Sequence, residues 1–172
     1  MCIVLYLGSG MKLPTSQWSD ENPRFRVLQL MESEEQVKRH FSKTYVYYLA
    51  SYKKCGCGFE WDAQQDEKEV EEWSKEWEAL PDDAKKEISW SPSDELELYK
   101  RKKQNNEDFV NFLKQVLQNT DDLEIYALMD EGNHDKEPTL SMIMTPEEIQ
   151  ARFTLSREEA GERILYKIVR EK

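Results

Sequence analysis

Six segments of the chain have the apolar runs, the alternation, or the β-branched and aromatic content that are typical of β-strands. They span residues 2–7, 25–30, 45–50, 123–129, 140–144 and 163–169. The first, third and fourth of these segments are apolar at nearly every position. Because strands that are covered on both faces lose the alternation, we expect these three strands at the centre of a sheet.

Capping residues mark the start of a helix at three places along the chain. Ser33 opens a sequence of the capping-box form, which predicts a short helix. Asn105 or Asn106 is predicted to cap a helix over residues 107–117, whose apolar side chains share one face. Thr145, which is followed by a proline, predicts a further helix start.

A long amphipathic pattern lies between the third and fourth predicted strands. Across residues 66–80, Val70, Trp73, Trp77 and Leu80 recur at helical spacing among acidic residues. This pattern predicts a helix that buries its apolar stripe and exposes its carboxylates to water. Such a stripe is typical of a helix packed on the core, and the alternative is a lobe that binds a partner protein.

These elements predict an α+β protein with a single domain over residues 1–172 and a helical excursion at about residues 60–120. The sheet is expected to be mixed, with five or six strands and helices packed on it. Helices before and after the third strand indicate crossovers that would make the first, third and fourth strands parallel. In that arrangement Ser9, Ser51 and Asp130 would meet the loop after the third strand at one edge of the sheet, where we expect a cofactor to bind.

The formal net charge of −11 comes from one part of the chain. Residues 60–98 contain 15 acidic and 4 basic side chains, and the two signs balance in the rest. A surface of this charge does not attract nucleic acid or anionic lipid, whereas a basic partner protein would suit it.

No apolar run approaches the roughly 20 residues of a membrane helix, and the first residues lack the features of a signal peptide. We therefore expect a cytoplasmic protein, which an odd number of cysteines, three, also favours.

The loop after the third predicted strand carries residues whose chemistry goes beyond the needs of folding. Two thiols, Cys55 and Cys57, alternate there with Gly56 and Gly58. The glycines permit a tight turn, and they also let consecutive backbone amides approach a bound cofactor. The sequence therefore predicts a site at this loop.

Three functions for these thiols remain open from the sequence. As metal ligands, Cys55 and Cys57 would need Cys2, His40 or His134 to join them in a zinc site. As a redox pair, they would close a small, strained ring that is easily reduced. As a nucleophile, one thiol would need His134 or His40 as its base. The alternative to all three is a pair of small buried residues in a turn.

A series of short motifs occurs in the first sixty residues: Met1-Cys2, Gly8-Ser9, Leu13-Pro14, Phe41-Ser42-Lys43, Tyr47-Tyr48 and Cys55-Gly56-Cys57-Gly58-Phe59. Together with a fainter echo at residues 124–130, these motifs resemble a family of uncharacterised bacterial proteins. The resemblance implies a bacterial cytosolic origin and marks the CGCGF loop as the signature of the family. That family has no assigned activity, so the resemblance implies no mechanism.

Two functional hypotheses follow from the sequence. In the first, the protein works by thiol-redox or metal-thiolate chemistry at the loop that contains Cys55 and Cys57. In the second, it is a non-catalytic interaction protein, like inhibitor or immunity proteins, whose acidic, tryptophan-rich helices bind a basic partner. The sequence leaves open whether the protein is an enzyme.

Overall fold

The computed structural model describes residues 2–129, 134–153 and 163–170. Within these ranges six strands form one mixed sheet in the order β2-β3-β1-β5-β8-β6, and β4 pairs separately with β7. The strands are β1 (Ile3–Ser9), β2 (Arg26–Leu28), β3 (Tyr45–Ala50), β4 (Trp61–Asp62), β5 (Asp122–Met129), β6 (Leu140–Met144), β7 (Arg152–Phe153) and β8 (Ile164–Val169). The predicted α+β class is confirmed, and each of the six predicted strands is present.

The order of the sheet confirms one prediction about its strands and corrects another. The strands predicted to be central, β3, β1 and β5, lie side by side in its interior. The prediction that these three run parallel is wrong, because β1 is antiparallel to both neighbours. β3 and β5 do share a direction, as the helices between them indicated, but β1 lies between them. Helical connections predict that the chain crosses over the sheet, and they do not predict which strand fills the gap.

Helices cover the sheet between and after these strands. In the described residues they are a 3₁₀ helix (Glu32–His40), a single 3₁₀ turn (Gly56–Gly58), α1 (Ala63–Ala79), α2 (Asp82–Glu87), α3 (Pro92–Leu117) and α4 (Pro146–Ala151). Thr145 caps α4 as predicted, since its Oγ1 accepts a hydrogen bond from the amide of Glu148 at 3.2 Å. None of the helices described is long and apolar enough to cross a bilayer.

The short predicted helix is a 3₁₀ helix, and it begins at Glu32 rather than after Ser33. The side chain that caps it is Glu34, whose Oε2 accepts a hydrogen bond from the amide of Met31 at 2.8 Å. This carboxylate is drawn inward, because its other oxygen bonds to Tyr6 in the core. The tertiary hydrogen bond between Glu34 and Tyr6 therefore helps to decide where this helix begins.

Asn105 and Asn106 do not cap a helix, in contrast to the prediction. They lie in the middle of α3, which begins at Pro92 after Ser91 as its N-cap residue. Both side chains are buried, and each donates a hydrogen bond to a backbone carbonyl outside α3. Asparagine favours caps because its side chain seeks backbone partners, and here those partners come from neighbouring segments.

Successive side chains of β1 point to opposite faces of the sheet, and the core accordingly has two layers. Ile3, Leu5 and Leu7 face the layer that also contains the apolar side chains of α3 and α4. Val4 and Tyr6 face the opposite layer, which is covered by Val37 of the 3₁₀ helix. Strand β1 therefore contributes side chains to both faces of the sheet.

The acidic amphipathic helix is present as α1, with Asp62 as its N-cap residue. Trp73 and Trp77 pack edge to face, with their ring centroids 5.8 Å apart. The apolar stripe, including both tryptophans, is half-buried rather than buried as predicted. α1 packs against α3 at the surface of the domain, so one side of the stripe stays open to water.

Candidate metal centre

The three cysteines of the chain lie close together at the end of the sheet where the interior strand β1 begins. The Sγ atoms of Cys2, Cys55 and Cys57 all lie within 4.8 Å of one another. Cys2 is exposed, the other two are half-buried, and all three are free thiols. The three sulfur atoms are therefore close enough to bind one metal ion together.

The antiparallel pairing of β1 with β3 explains why Cys2 joins the loop. Leu5 lies opposite Leu49, so the beginning of β1 lies beside the end of β3, from which the loop extends. The amide of Ile3 then donates a hydrogen bond to Cys57 Sγ at 3.1 Å. With the predicted parallel arrangement, Cys2 would lie at the opposite end of the sheet from this loop.

A tight turn at the end of β3 holds Cys55 in place. Ser51 is fully buried, and both its amide and its hydroxyl donate to the carbonyl oxygen of Cys55, at 3.3 Å and 2.5 Å. The carbonyl oxygen of Ser51 accepts in turn from the amide of Lys54 at 2.9 Å. Lys54 has a φ of 65°, in the left-handed region that such a turn requires. The hydroxyl of Ser51, a predicted cofactor-binding group, is thus engaged within the loop.

The two glycines of the loop are needed for close packing. A Cβ atom at Gly56 would lie 2.8 Å from the carbonyl oxygen of Ile3, and one at Gly58 would lie 2.3 Å from Ser51 Oγ. Both distances are too short for any side chain, because the neighbours are backbone or buried. The glycines therefore bring Cys57 up against β1.

Asn105 fixes the far end of the loop, a role that the sequence analysis missed. Its Nδ2 donates to the carbonyl oxygen of Gly58 at 3.1 Å, and its Oδ1 accepts from the amide of Tyr52 at 3.0 Å. One buried side chain thus ties both ends of the loop to α3. An asparagine within an otherwise regular helical pattern was the signal available, since asparagine is unfavourable there without such partners.

The surroundings of Cys55 change the acidity of its thiol. Burial raises the pKa of Cys55 to about 12, although the amide of Cys57 favours its thiolate, and the nearby sulfurs of Cys57 and Cys2 raise it further. A free thiol with this pKa stays protonated at neutral pH and is a poor nucleophile. In the absence of a cation, burial and the nearby sulfurs therefore oppose the ionisation of Cys55.

The other predicted site residues do not join the cysteines. Nδ1 of His134 lies 2.8 Å from the hydroxyl of Tyr6, and Nε2 of His40 donates to the carbonyl oxygen of His134 at 3.2 Å. Burial lowers the pKa of His40. Ser9 lies at the far end of β1, and Asp130 lies outside the described residues. Over the parts of the chain that are described, the cluster with metal-ligand spacing consists of cysteines alone.

Comparisons of this chain with models of protein families, with curated proteins and with solved structures find no match. The resemblance drawn from the short motifs stays a prediction. The function must therefore be argued from the geometry of the chain itself.

Proposed function

We propose that the protein binds one zinc ion through the thiolates of Cys2, Cys55 and Cys57, and that it works at this metal-thiolate site in the reducing cytoplasm. The observation that supports this proposal is the convergence of three free sulfur atoms within 4.8 Å. Tetrahedral zinc with Zn–S bonds of about 2.3 Å places its sulfur ligands about 3.8 Å apart. Only a small contraction of the cluster is needed to reach that geometry.

The electrostatics of the cluster favour a bound cation over free-thiol chemistry. Metal binding removes the protons from coordinating thiols and neutralises the repulsion between thiolates. The raised pKa of Cys55 means that it is a weak nucleophile without a metal. The hydrogen bond from the amide of Ile3 to Cys57 Sγ at 3.1 Å orients this sulfur as an outer-shell partner would orient a metal ligand.

The number of ligands indicates a site with a vacant position for a fourth ligand. Structural zinc sites use four protein ligands, whereas sites that bind water or a substrate use three. In the described residues no histidine or carboxylate completes the cysteine cluster. A bound zinc ion would therefore hold water or an exogenous ligand on the exposed side, beside Cys2.

Zinc content of the purified protein tests the proposal. We expect one zinc ion per chain, and each of the variants Cys2→Ser, Cys55→Ser and Cys57→Ser should weaken binding by more than about 100-fold. Loss of a ligand costs more than loss of an outer-shell partner, for which the cost is about 10–100-fold. Binding should strengthen as pH rises, because the thiols must lose protons. His134→Ala is the control, and it should retain zinc.

Two results would contradict the proposal. The first is a wild-type protein that takes up no zinc at micromolar concentration under reducing conditions. The second is rapid, reversible formation of a disulfide between Cys55 and Cys57 in zinc-free and zinc-supplied samples alike, which would favour the thiol-redox hypothesis instead. Mass spectrometry after alkylation of the free thiols separates the two cases.

A further inference from the structure

A cleft lies on the face of the sheet to which Val4 and Tyr6 belong. Its volume is about 410 Å³, within the usual range of small-molecule sites. Most of its wall is apolar, and Val4, Leu28, Met31 and Tyr48 contribute to that wall. No cysteine lines this cleft, so a ligand could bind there without a metal at the cysteine cluster.

A buried carboxylate lies in the wall of this cleft. Glu34 is only 4% exposed, and its Oε1 accepts a hydrogen bond from the hydroxyl of Tyr6 at 3.0 Å. Its Oε2 accepts from the amide of Met31 at 2.8 Å. These bonds hold the carboxylate in one orientation, and each oxygen retains the capacity to accept a further hydrogen bond.

The hydroxyl of Tyr6 links this carboxylate to His134. The hydroxyl has a single proton, and the ionised carboxylate can only accept. Since Tyr6 donates to Glu34, Nδ1 of His134 must donate to the oxygen of Tyr6 across 2.8 Å. The chain His134–Tyr6–Glu34 therefore points its donors toward the carboxylate and holds it in place in the wall of the cleft.

The cleft is lined by two side chains of opposite charge, Glu34 and Lys54, and the described residues show no ion pair between them. Among the described residues no cation pairs with Glu34, whose partners are the Tyr6 hydroxyl and the Met31 amide. A carboxyl group held in an apolar wall favours a ligand that brings a cationic group to it. Lys54 also lines the cleft, is exposed, and makes no ion pair with any described residue.

We propose that this cleft binds a free amino acid with an apolar side chain. The ammonium group of the ligand would pair with Glu34, its carboxylate with Lys54, and its side chain would lie on Leu28, Met31 and Tyr48. Each of the three parts of such a ligand then meets a wall of matching chemistry. A simple amine would leave Lys54 without a partner, and a simple carboxylic acid would face the charge of Glu34.

Three related probes test this assignment by calorimetry on the wild-type protein. L-phenylalanine carries all three groups, phenethylamine lacks the carboxylate, and 3-phenylpropionate lacks the ammonium group. We expect L-phenylalanine to bind at least about tenfold more tightly than either of the others, because each charged hydrogen bond contributes to affinity. This comparison needs no variant, so it holds even if a substitution in the core unfolds the protein.

Substitutions assign each contact. Glu34→Gln keeps the shape of the side chain and should weaken the binding of L-phenylalanine about tenfold or more. It should not weaken the binding of 3-phenylpropionate, which has no ammonium group and no longer faces the charge of Glu34. Lys54→Met should weaken L-phenylalanine and leave phenethylamine unchanged. Glu35→Gln and Lys53→Met, at the adjacent exposed positions, are matched controls and should bind as the wild type does.

Either of two outcomes would overturn the proposal. One is the absence of saturable binding of L-phenylalanine at millimolar concentration. The other is binding that 3-phenylpropionate or phenethylamine matches, or that the control substitutions reduce as strongly as Glu34→Gln and Lys54→Met do. These results leave the zinc site untouched, so failure here is distinct from failure of the metal-thiolate proposal.

Discussion

At the scale of single residues, two neighbouring asparagines in α3 make separate connections. Asn105 bonds to both ends of the cysteine loop, whereas Asn106 Nδ2 donates to the carbonyl oxygen of Ile149 in α4 at 3.1 Å. Both are buried to a similar extent, at 2% and 4% exposure. They form a natural pair in which one residue supports the candidate metal centre and the other supports only the packing of α4.

Substitution of these two residues should separate stability from metal binding. Asn105→Ala leaves the Gly58 carbonyl and the Tyr52 amide without partners, so we expect a loss of about 2–4 kcal/mol in the free energy of unfolding. Zinc affinity should fall about 10–100-fold, as it does when the support of a ligand is removed. Asn106→Ala should cost about 1–3 kcal/mol and leave zinc affinity unchanged. Urea unfolding and zinc titration measure both, and equal zinc affinities in the two variants would refute the role of Asn105.

At the scale of elements, α1 shows how an amphipathic pattern can be correct while the degree of burial differs. The stripe that contains Trp73 and Trp77 faces α3, but α1 lies at the surface and the stripe is half-buried. The indole nitrogen of Trp73 is nevertheless buried, and it has no hydrogen-bond partner among the described residues. An orphaned donor of this kind lowers the stability that the ring contributes.

The buried indole nitrogen of Trp73 predicts how substitutions of the two tryptophans of α1 should differ in stability. Trp73→Phe retains most of the apolar contact and removes the unsatisfied donor, so its stability should lie within about 1 kcal/mol of the wild type. Trp73→Ala should cost about 1–3 kcal/mol, less than a fully buried tryptophan would. Trp77→Phe serves as the control and should be more destabilising than Trp73→Phe. Thermal unfolding of the three variants checks the order, and the reverse order would show that the indole nitrogen of Trp73 has a partner.

The elements that sequence predicted well are those with long, continuous patterns. The apolar runs of β1, β3 and β5 identified the centre of the sheet, and the period of α1 identified its helix. β4 and β7 were missed, because strands of two residues show no periodicity. The direction of β1 and the tertiary hydrogen bonds of Asn105 depend on contacts between distant segments, which no local pattern encodes.

In the candidate sites too, residues in a local motif were predicted, whereas residues brought in by contacts between distant segments were not. Cys55 and Cys57 were predicted from their loop, but Cys2 became the third member only because β1 is antiparallel to β3. His134 was expected beside the cysteines and instead lies against Tyr6, since topology places its segment on the other face of the core. Glu34, which lines the cleft, was predicted only as part of a helix start.

At the scale of the whole molecule, the sheet brings two chemically different sites close to one end of β1. The cysteine cluster lies where the strand begins, and Val4 and Tyr6 belong to the layer that lines the cleft. Side chains of β1 alternate between the layers, so a shift of one residue in its pairing would disturb both sites at once. The shared strand therefore makes the two sites structurally interdependent.

The turn at the end of β3 couples the binding free energies of the two candidate sites. Lys54 lines the cleft and Cys55 belongs to the candidate metal centre, and the two are joined by one peptide bond within a turn that Ser51 closes. A metal that immobilises Cys55 also restricts Lys54, so part of the entropy lost in ordering Lys54 for a ligand would already have been lost.

We therefore expect cooperativity between zinc and L-phenylalanine, with each raising the affinity for the other by the same factor. Calorimetry of L-phenylalanine binding to chelator-treated protein and to protein loaded with one zinc ion and dialysed measures this factor. Identical affinities in the two states would show that the turn is rigid without metal and that the sites act independently.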